Sequence, residues 1–529
     1  MFKGQPKGLY ALALANTGER FGYYTMLAIF MLFLQAKFGW EQAAASQLYA
    51  IFMAVIYFLP VLGGMVADRI GYGKCVVAGI CVMFLGYVLL TIPTAPNALG
   101  IALMIGALLL VALGTGLFKG NLQVLIGNLY DDPKYADKRD SAFSLFYMAI
   151  NIGAMFAPFA ATAITNRFLS KAGLVYKADI PALAHQLLGG TISPENTDRL
   201  AGLQAQMPDA AVTAFSLPDF SSYYVGHLSS AYNMGFAVAC VSLVVSIAIY
   251  LACKPWFKQA DVNAKQAAAA NAHIVELTPK QTRDRVVALC MVFAVVIFFW
   301  MAFQQNGQAL TWFARDYTQQ TVSGWPRAGF SVWILGLLAV SVYTLFGTFQ
   351  SEKRSSKMLC GIVTVALWAA AIIIYRGMPA VLDIQPQLFQ QFNPFFVVLL
   401  TPVVIAIFGA LAKKHREPTA PMKIGIGMIV AALGYLVMIF GSVGQPSPAA
   451  LSGTVSPDPV VPTYLMGTYL VLTFAELLCQ ISCQNFYQEL NLLFICHFCI
   501  IRSPFEAETD EIIHGHRYHS LGGLNGGYC

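Results

Sequence analysis

Glu19 and Arg20 stand side by side within an apolar segment at about 9–35. A charged side chain at bilayer depth costs about 2.5–3.5 kcal/mol on insertion scales. Chains keep such groups where they line a polar cavity, recognise a charged solute or carry protons, so the pair marks a candidate site. The alternative is an interfacial pair snorkelling at a helix end, which the apolar residues on both sides disfavour. Lys119 lies in Gly114-Thr115-Gly116-Leu117-Phe118-Lys119-Gly120-Asn121. The apolar run continues through Leu122, Val124, Leu125 and Ile126, which places this ammonium within the membrane with Glu19 and Arg20 as expected partners. Glu476, in Phe474-Ala475-Glu476-Leu477-Leu478, is a second intramembrane carboxylate. Asn151 is a lone amide in an apolar run, readable also as an interhelical hydrogen bond worth about 0.6 kcal/mol. Trp300 is a pocket wall or an interfacial belt residue. No nucleophile–base pair, metal-ligand spacing or phosphate loop stands out, which leaves a membrane enzyme or sensor without support.

The elements that position these groups follow from composition. The 529 residues are 57% hydrophobic and 11% charged, against about 25% charged in soluble domains. This is an all-α polytopic membrane protein with no room for a large soluble domain. The net charge of +6 fits basic cytoplasmic loops, not nucleic-acid binding. The apolar segment after the N-terminal residues is too long for the h-region of a cleavable signal.

Runs long enough to span a bilayer fall at about 9–35, 46–67, 75–94, 98–118, 141–164, 223–252, 286–306, 328–349, 358–375, 393–412, 424–442 and 463–482. Basic loops at the N-terminus and at 68–74, 134–139, 254–285, 353–357 and 413–423 share one face, so the N-terminus is expected in the cytoplasm. Residues 1–252 are expected to form a six-helix bundle with an extracytoplasmic loop at 165–222. Residues 253–285 read as a cytoplasmic linker with an Ala-rich stretch, and 286–482 as the second bundle.

Several motifs occur in a telling order: Glu19-Arg20-Phe21-Gly22-Tyr23-Tyr24, the charged loop 64–74 with Asp68 and Arg69, 114–121, Phe146-Tyr147-Met148-Ala149-Ile150-Asn151, 299–307, Gln391-Phe392-Asn393-Pro394 and 474–478. The chain resembles the proton-dependent oligopeptide transporters, or peptide transporter family, of the major facilitator superfamily. The resemblance covers residues 1 to about 478. It implies two helical bundles and a proton-coupled symporter importing di- and tripeptides by alternating access. It needs no metal or other cofactor, with the proton as coupling ion. Glu19, Arg20, Lys119 and Glu476 would couple proton to substrate. Arg20, Tyr23, Tyr24, Tyr57, Lys119, Asn151, Trp300, Gln304, Asn393 and Glu476 would bind the peptide, Glu476 at its amino end and Lys119 with Arg20 at its carboxylate. Asp68 and Arg69 would act as a conformational loop. A zwitterion with two unlike charges a few ångströms apart calls for this arrangement. Expected partners are the peptide, protons and the lipid bilayer, with no nucleic acid. A bacterial inner (plasma) membrane and a monomer are the expected setting. A carrier of another small solute, such as nitrate or a peptide-like compound, is the alternative within the family.

The chain departs from the family pattern in four places. Asn16 stands where the family motif has a glutamate, Leu27 where it has a basic residue, and Gln304 where it has an acid. If the last two pair in relatives, both have been neutralised together and neither leaves an orphan charge. The fourth departure is the end. Five of the eleven cysteines and four of the eight histidines fall between 479 and 529, and 491–501 is too short to span. The expectation is a change of coding frame near residue 478, an aberrant tail at 483–529, and a transport-impaired chain without the last two family helices. An extra helix pair at about 328–375 is expected within the second bundle.

Overall fold

The computed structural model describes residues 4–261, 279–351 and 353–489. Twelve helices among these are long and apolar enough to cross a membrane. They stand at the twelve places that the hydropathy marks. In lipid every backbone N–H and C=O must be satisfied within its own segment, which makes helix the only open-chain solution.

The first half runs α1 (Lys7–Phe38), α2 (Gln42–Ile70), α3 (Tyr72–Thr91), α4 (Ala98–Leu129) and α5 (Arg139–Lys171). Three short helices follow, α6 (Ile180–Leu188), α7 (Pro194–Gln204) and α8 (Ala210–Thr213), before α9 (Leu217–Ala252). The fourth span continues well past the expected 118, so Lys119 sits inside α4, as the apolar run after it implies. α1 is the most enclosed span, with 83% of its apolar window buried, and it packs on α5 and α9. Gly153 permits the α1–α5 approach: a Cβ there would lie 2.6 Å from the Thr17 carbonyl oxygen. This contact brings the 146–154 motif beside Glu19 and Arg20.

The second half runs α10 (Pro279–Phe303), a 3-10 turn at Gln304–Gly307 and α11 (Ala309–Asp316). The seventh span therefore reaches Asp316, beyond the expected 306, because helix resumes after the turn. Strand β1 (Thr321–Ser323) pairs antiparallel with β2 (Val381–Asp383), with Val322 opposite Leu382. Between them lie α12 (Val332–Gln350) and α13 (Arg354–Arg376). Then come α14 (Phe392–Ala412), α15 (Ala420–Ser442), the short α16 (Pro448–Leu451) and α17 (Pro462–Glu489).

α12 and α13 meet along a polar seam. The Thr344 and Thr364 hydroxyls lie 2.7 Å apart, and Trp368 Nε1 donates to Ser341 Oγ at 3.0 Å. Only 11% of the α13 window is buried, and exposed Ile362, Val365 and Ile373 give it an apolar outer face suited to lipid. α12 reaches both halves: Leu335 and Ala339 pack with Met155 of α5 and with Phe395 and Val398 of α14.

Two large apolar cores result among the described residues, one built around α1 and one from α10, α14, α15 and α17, beside two smaller clusters. The linker expected at 253–285 is described only at its ends, and the tail beyond residue 489 lies outside the described residues.

Candidate functional site

Glu19 and Arg20 are both buried in the middle of α1. Neighbouring residues on a helix point in different directions, yet these two side chains fold together. Arg20 Nε donates to Glu19 Oε2 at 2.5 Å and Nη2 donates to Oε1 at 2.6 Å. The bidentate geometry engages both carboxylate oxygens. The guanidinium also lies 4.7 Å from the centre of the Tyr23 ring, which packs edge-on against Tyr24 at 5.3 Å. Tyr23 Oη reaches Met53 Sδ at 3.5 Å. Asn16 is buried one turn earlier, and its Nδ2 has no hydrogen-bond partner among the described residues.

Lys119 is within electrostatic reach of Glu19 and Arg20 but makes no ion pair with either. Its Nζ lies over the Tyr57 ring, 4.7 Å from the centroid. Tyr57 in turn accepts a hydrogen bond from Gln304 Nε2 at 2.9 Å, across from α2 to the turn that follows α10. Leu27 is buried in the first core.

Glu476 is buried in α17 and is held by two neutral donors. Tyr147 Oη, from α5, donates to Oε1 at 2.9 Å, and Asn393 Nδ2, from α14, donates to Oε2 at 2.7 Å. Asn393 also donates to Thr473 Oγ1 at 3.1 Å. No cation pairs with Glu476 among the described residues. Tyr24 is within electrostatic reach of Glu476, Arg20 and Glu19.

Asn151 donates to the Tyr147 carbonyl of its own helix at 2.9 Å, so this amide is satisfied locally. Trp300 is half-buried in an aromatic cluster, 5.4 Å from Phe299 and 5.5 Å from Phe303. Asp68 accepts from Tyr72 Oη at 2.6 Å, and Arg69 is exposed. The same loop is tied to the end of the first half, where Asp261 Oδ1 accepts from the Gly73 amide at 2.8 Å.

Two features lie outside the sequence reading. The first is Tyr147, quoted in a motif but not assigned to the site. The second is a set of contacts between the halves, all at the end of the molecule that carries α6–α8. Arg315 and Asp316 form a fully buried pair at 2.5 Å. Arg315 donates to Gln35, and Gln42 donates to Asp316. Trp312 Nε1 donates to Ser46 Oγ at 3.1 Å and Gln308 Nε2 to the Ser46 carbonyl at 2.9 Å. Further out, Asp179 Oδ1 accepts from the Val455 amide at 2.5 Å, and Oδ2 accepts from Arg199 at 2.8 Å. Arg199 also donates to the Val455 carbonyl at 3.2 Å, and Gln186 to the Ser452 carbonyl at 2.7 Å. The adjacent opposite charges Arg315-Asp316 carry the same signal as Glu19-Arg20. They are passed over when the seventh span is ended at 306.

Gln385 also donates to Asn166, near the end of α5 that leads to α6. The remaining hydrogen bonds between the halves that join described residues, Tyr147–Glu476 and Tyr57–Gln304, lie at mid-span. Such an arrangement can hold a solute with separated charges between two bodies that are fastened at one end.

Comparison with known proteins identifies the relatives of this chain. The family model described as PTR2, POT family, matches residues 73–278 and 361–513, more than half of the sequence. An uncharacterised transporter of Bacillus subtilis, YclF, is 26% identical over 485 residues, covering 90% of this chain and 80% of its own. Dipeptide and tripeptide permease B of Shigella dysenteriae is 26% identical over 501 residues, covering 89% and 84%. A solved bacterial homologue of the human drug peptide transporters superposes with a TM-score of 0.53 at 20% identity, covering 92% of this chain and 85% of the other.

Proposed function

This chain belongs to the POT family, a family of transporters and not of enzymes, and from that premise we propose that it carries di- and tripeptides across the membrane together with protons, by alternating access. The observation that carries the reading is a pair of unmatched charges. Among the described residues, the Glu476 carboxylate on one half is buried with two neutral donors and no cation, and the half-buried Lys119 ammonium on the other half makes no ion pair and lies over the Tyr57 ring. A buried charge without a counterion is costly. A zwitterionic peptide supplies both counterions at once, its amine to Glu476 and its carboxylate to Lys119, and Tyr24 and Tyr57 provide walls tolerant of varied side chains.

Arg20 is engaged with Glu19, so its role is to hold that carboxylate and to add positive potential at the carboxylate end. The proton is carried by one of Glu19, Lys119 and Glu476, since the carboxylates at the Asn16 and Gln304 positions are missing. Asn151 and Trp300 support the pocket, the first through Tyr147 and the second through the aromatic cluster. Asp68 and Arg69 act at the cytoplasmic boundary as part of the loop that Asp261 anchors.

The hydrogen bonds at the α6–α8 end support a state closed to the outside, with an N-terminus in the cytoplasm of a bacterium and the chain in its inner membrane. One chain supplies both charged ends, so a monomer suffices as the transport unit. Residues 1–252 and 286–482 form the two moving bundles, and 253–285 links them.

Uptake of a labelled dipeptide into proteoliposomes, with and without an inward pH gradient, tests the function. Gradient-stimulated uptake is expected, with up to about 2.3 kcal/mol available per proton charge per 100 mV of potential. The neutral residues at Asn16 and Gln304 favour a second reading, a carrier of another small solute within the family. Failure to take up any peptide supports that reading, and uptake indifferent to the gradient removes the proton from the mechanism.

A further inference from the structure

We propose that the α12–α13 hairpin is a sliding seal. It travels with the second half and closes, from the lipid side, the seam where α5 of the first half meets α14 of the second. That it slides rests on the alternating-access reading above. The seam needs a cover because of what lies behind it. α5 and α14 meet across the halves, and each sends a donor to the buried Glu476 carboxylate, Tyr147 from α5 and Asn393 from α14. Met148 follows Tyr147 in the chain, and Phe396 lies one turn beyond Asn393. Both border a separate apolar cluster whose buried members are Met155 of α5, Leu335 and Ala339 of α12, and Phe395 and Val398 of α14. α12 is thus the third wall of an apolar plug, and α13, behind it, turns exposed Ile362, Val365 and Ile373 outward.

The two sides of α12 are bonded differently among the described residues. Toward the second half, Tyr343 Oη donates to the Val398 carbonyl at 2.9 Å. Gln391 Nε2 donates to the Gly329 carbonyl, at the entry to the hairpin, at 3.1 Å. The β1–β2 ladder and a bond from Arg327 to the Met378 carbonyl at 3.2 Å close the base of the hairpin. Toward α5 the contact is apolar, and Gly336 is so near that an added Cβ would meet the Phe156 ring at 3.7 Å. The Gln385–Asn166 bond lies past β2, at the end where the halves are fastened. A hydrogen bond broken in lipid leaves a group that no water takes over, at about 1–3 kcal/mol. Dispersion contacts re-form in a new register as one apolar face passes another. α12 can therefore shift along α5, but not along α14 without losing bonds. A gap at this seam would open a route for water, and with it protons, to Glu476.

Two cysteine pairs test the sliding, in a chain whose native cysteines have been replaced. A short bifunctional thiosulfonate that bridges Gly336→Cys to Phe156→Cys stops uptake of a labelled dipeptide into proteoliposomes, and a reductant restores it. The same reagent bridging Tyr343→Cys to Val398→Cys leaves uptake at the level of that unbridged variant. Any other pattern overturns the sliding. The seal is read without substrate, from the decay of an imposed pH gradient in vesicles loaded with a pH-sensitive dye. Leu335→Ala combined with Met155→Ala opens a cavity in the plug, and the gradient collapses several-fold faster than with the wild type. Leu335→Met conserves volume, and Val365→Ala is a similar truncation on the lipid face; both decay as the wild type does and control for folding and reconstitution. Equal decay in all four proteins, or equal acceleration by Val365→Ala, overturns the seal. Wild-type vesicles that take up no peptide overturn the transport reading and the sliding with it, while the dye measurement still decides the seal.

Discussion

Asp179 offers the sharpest test of how the two halves are fastened. Its carboxylate accepts from the Val455 amide at 2.5 Å and from Arg199 at 2.8 Å, and Arg199 returns to the Val455 carbonyl at 3.2 Å. One residue of the second half, Val455, is thus gripped on both its N–H and C=O by an ion pair of the first. The grip depends on a left-handed turn just before it, with φ of 49° at Ser452 and 83° at Gly453. A hydrogen bond from a backbone amide to a carboxylate contributes about 1.5–3 kcal/mol. The Arg199 side chain is 39% exposed, so the ion pair itself adds well under about 1 kcal/mol after solvent screening. Asp179→Ala should therefore shift the closed-to-open equilibrium by about 2 kcal/mol, roughly a thirtyfold rise in the open population. A cysteine placed at Ala182, which packs against Gly453, reports it in a chain whose native cysteines have been replaced. Its modification by a membrane-impermeant thiol reagent should accelerate by about that factor in Asp179→Ala while opening remains a rapid pre-equilibrium. An unchanged rate, or an equal acceleration at a control cysteine remote from this face, would refute the clamp.

Other consequences follow from the same contacts. Glu476→Gln should raise the KM for a free-amine dipeptide at least about tenfold, the loss of a charge-assisted contact, and leave an N-acetylated dipeptide unaffected in the same uptake assay. Tyr147→Phe removes one of two donors to that carboxylate, worth about 1 kcal/mol or somewhat more; a several-fold change in KM without a change in thermal stability in detergent is expected. Arg315→Ala leaves Asp316 buried without its cation and should destabilise the protein by about 3–5 kcal/mol, seen as a lower Tm. Replacing Arg315 and Asp316 together by Met and Leu should recover most of that loss.

Hydropathy made the twelve spans legible, because bilayer thickness sets a minimum apolar length and lipid forces each segment to satisfy its own backbone. Both are local requirements, readable one segment at a time. The same local cost flagged Glu19, Arg20, Lys119 and Glu476 as site residues before any partner was known. It would have flagged Arg315 and Asp316 too, had the seventh span been carried past the turn at Gln304–Gly307.

Partnership was a different matter. The sequence placed Lys119 opposite Glu19 and Arg20 as equals. Only the packed helices show Glu19 consumed by its own neighbour and Lys119 left over Tyr57. Nothing local joins Tyr147 to Glu476 or Asp179 to Val455, pairs hundreds of residues apart in the chain. Those contacts depend on which helix faces meet and how closely, as at Gly153 against Thr17. Burial in lipid is a property of a segment, so sequence alone determined where the charges are. Pairing is a property of surfaces brought together, so only the tertiary structure decided which of the described charges pair and which do not.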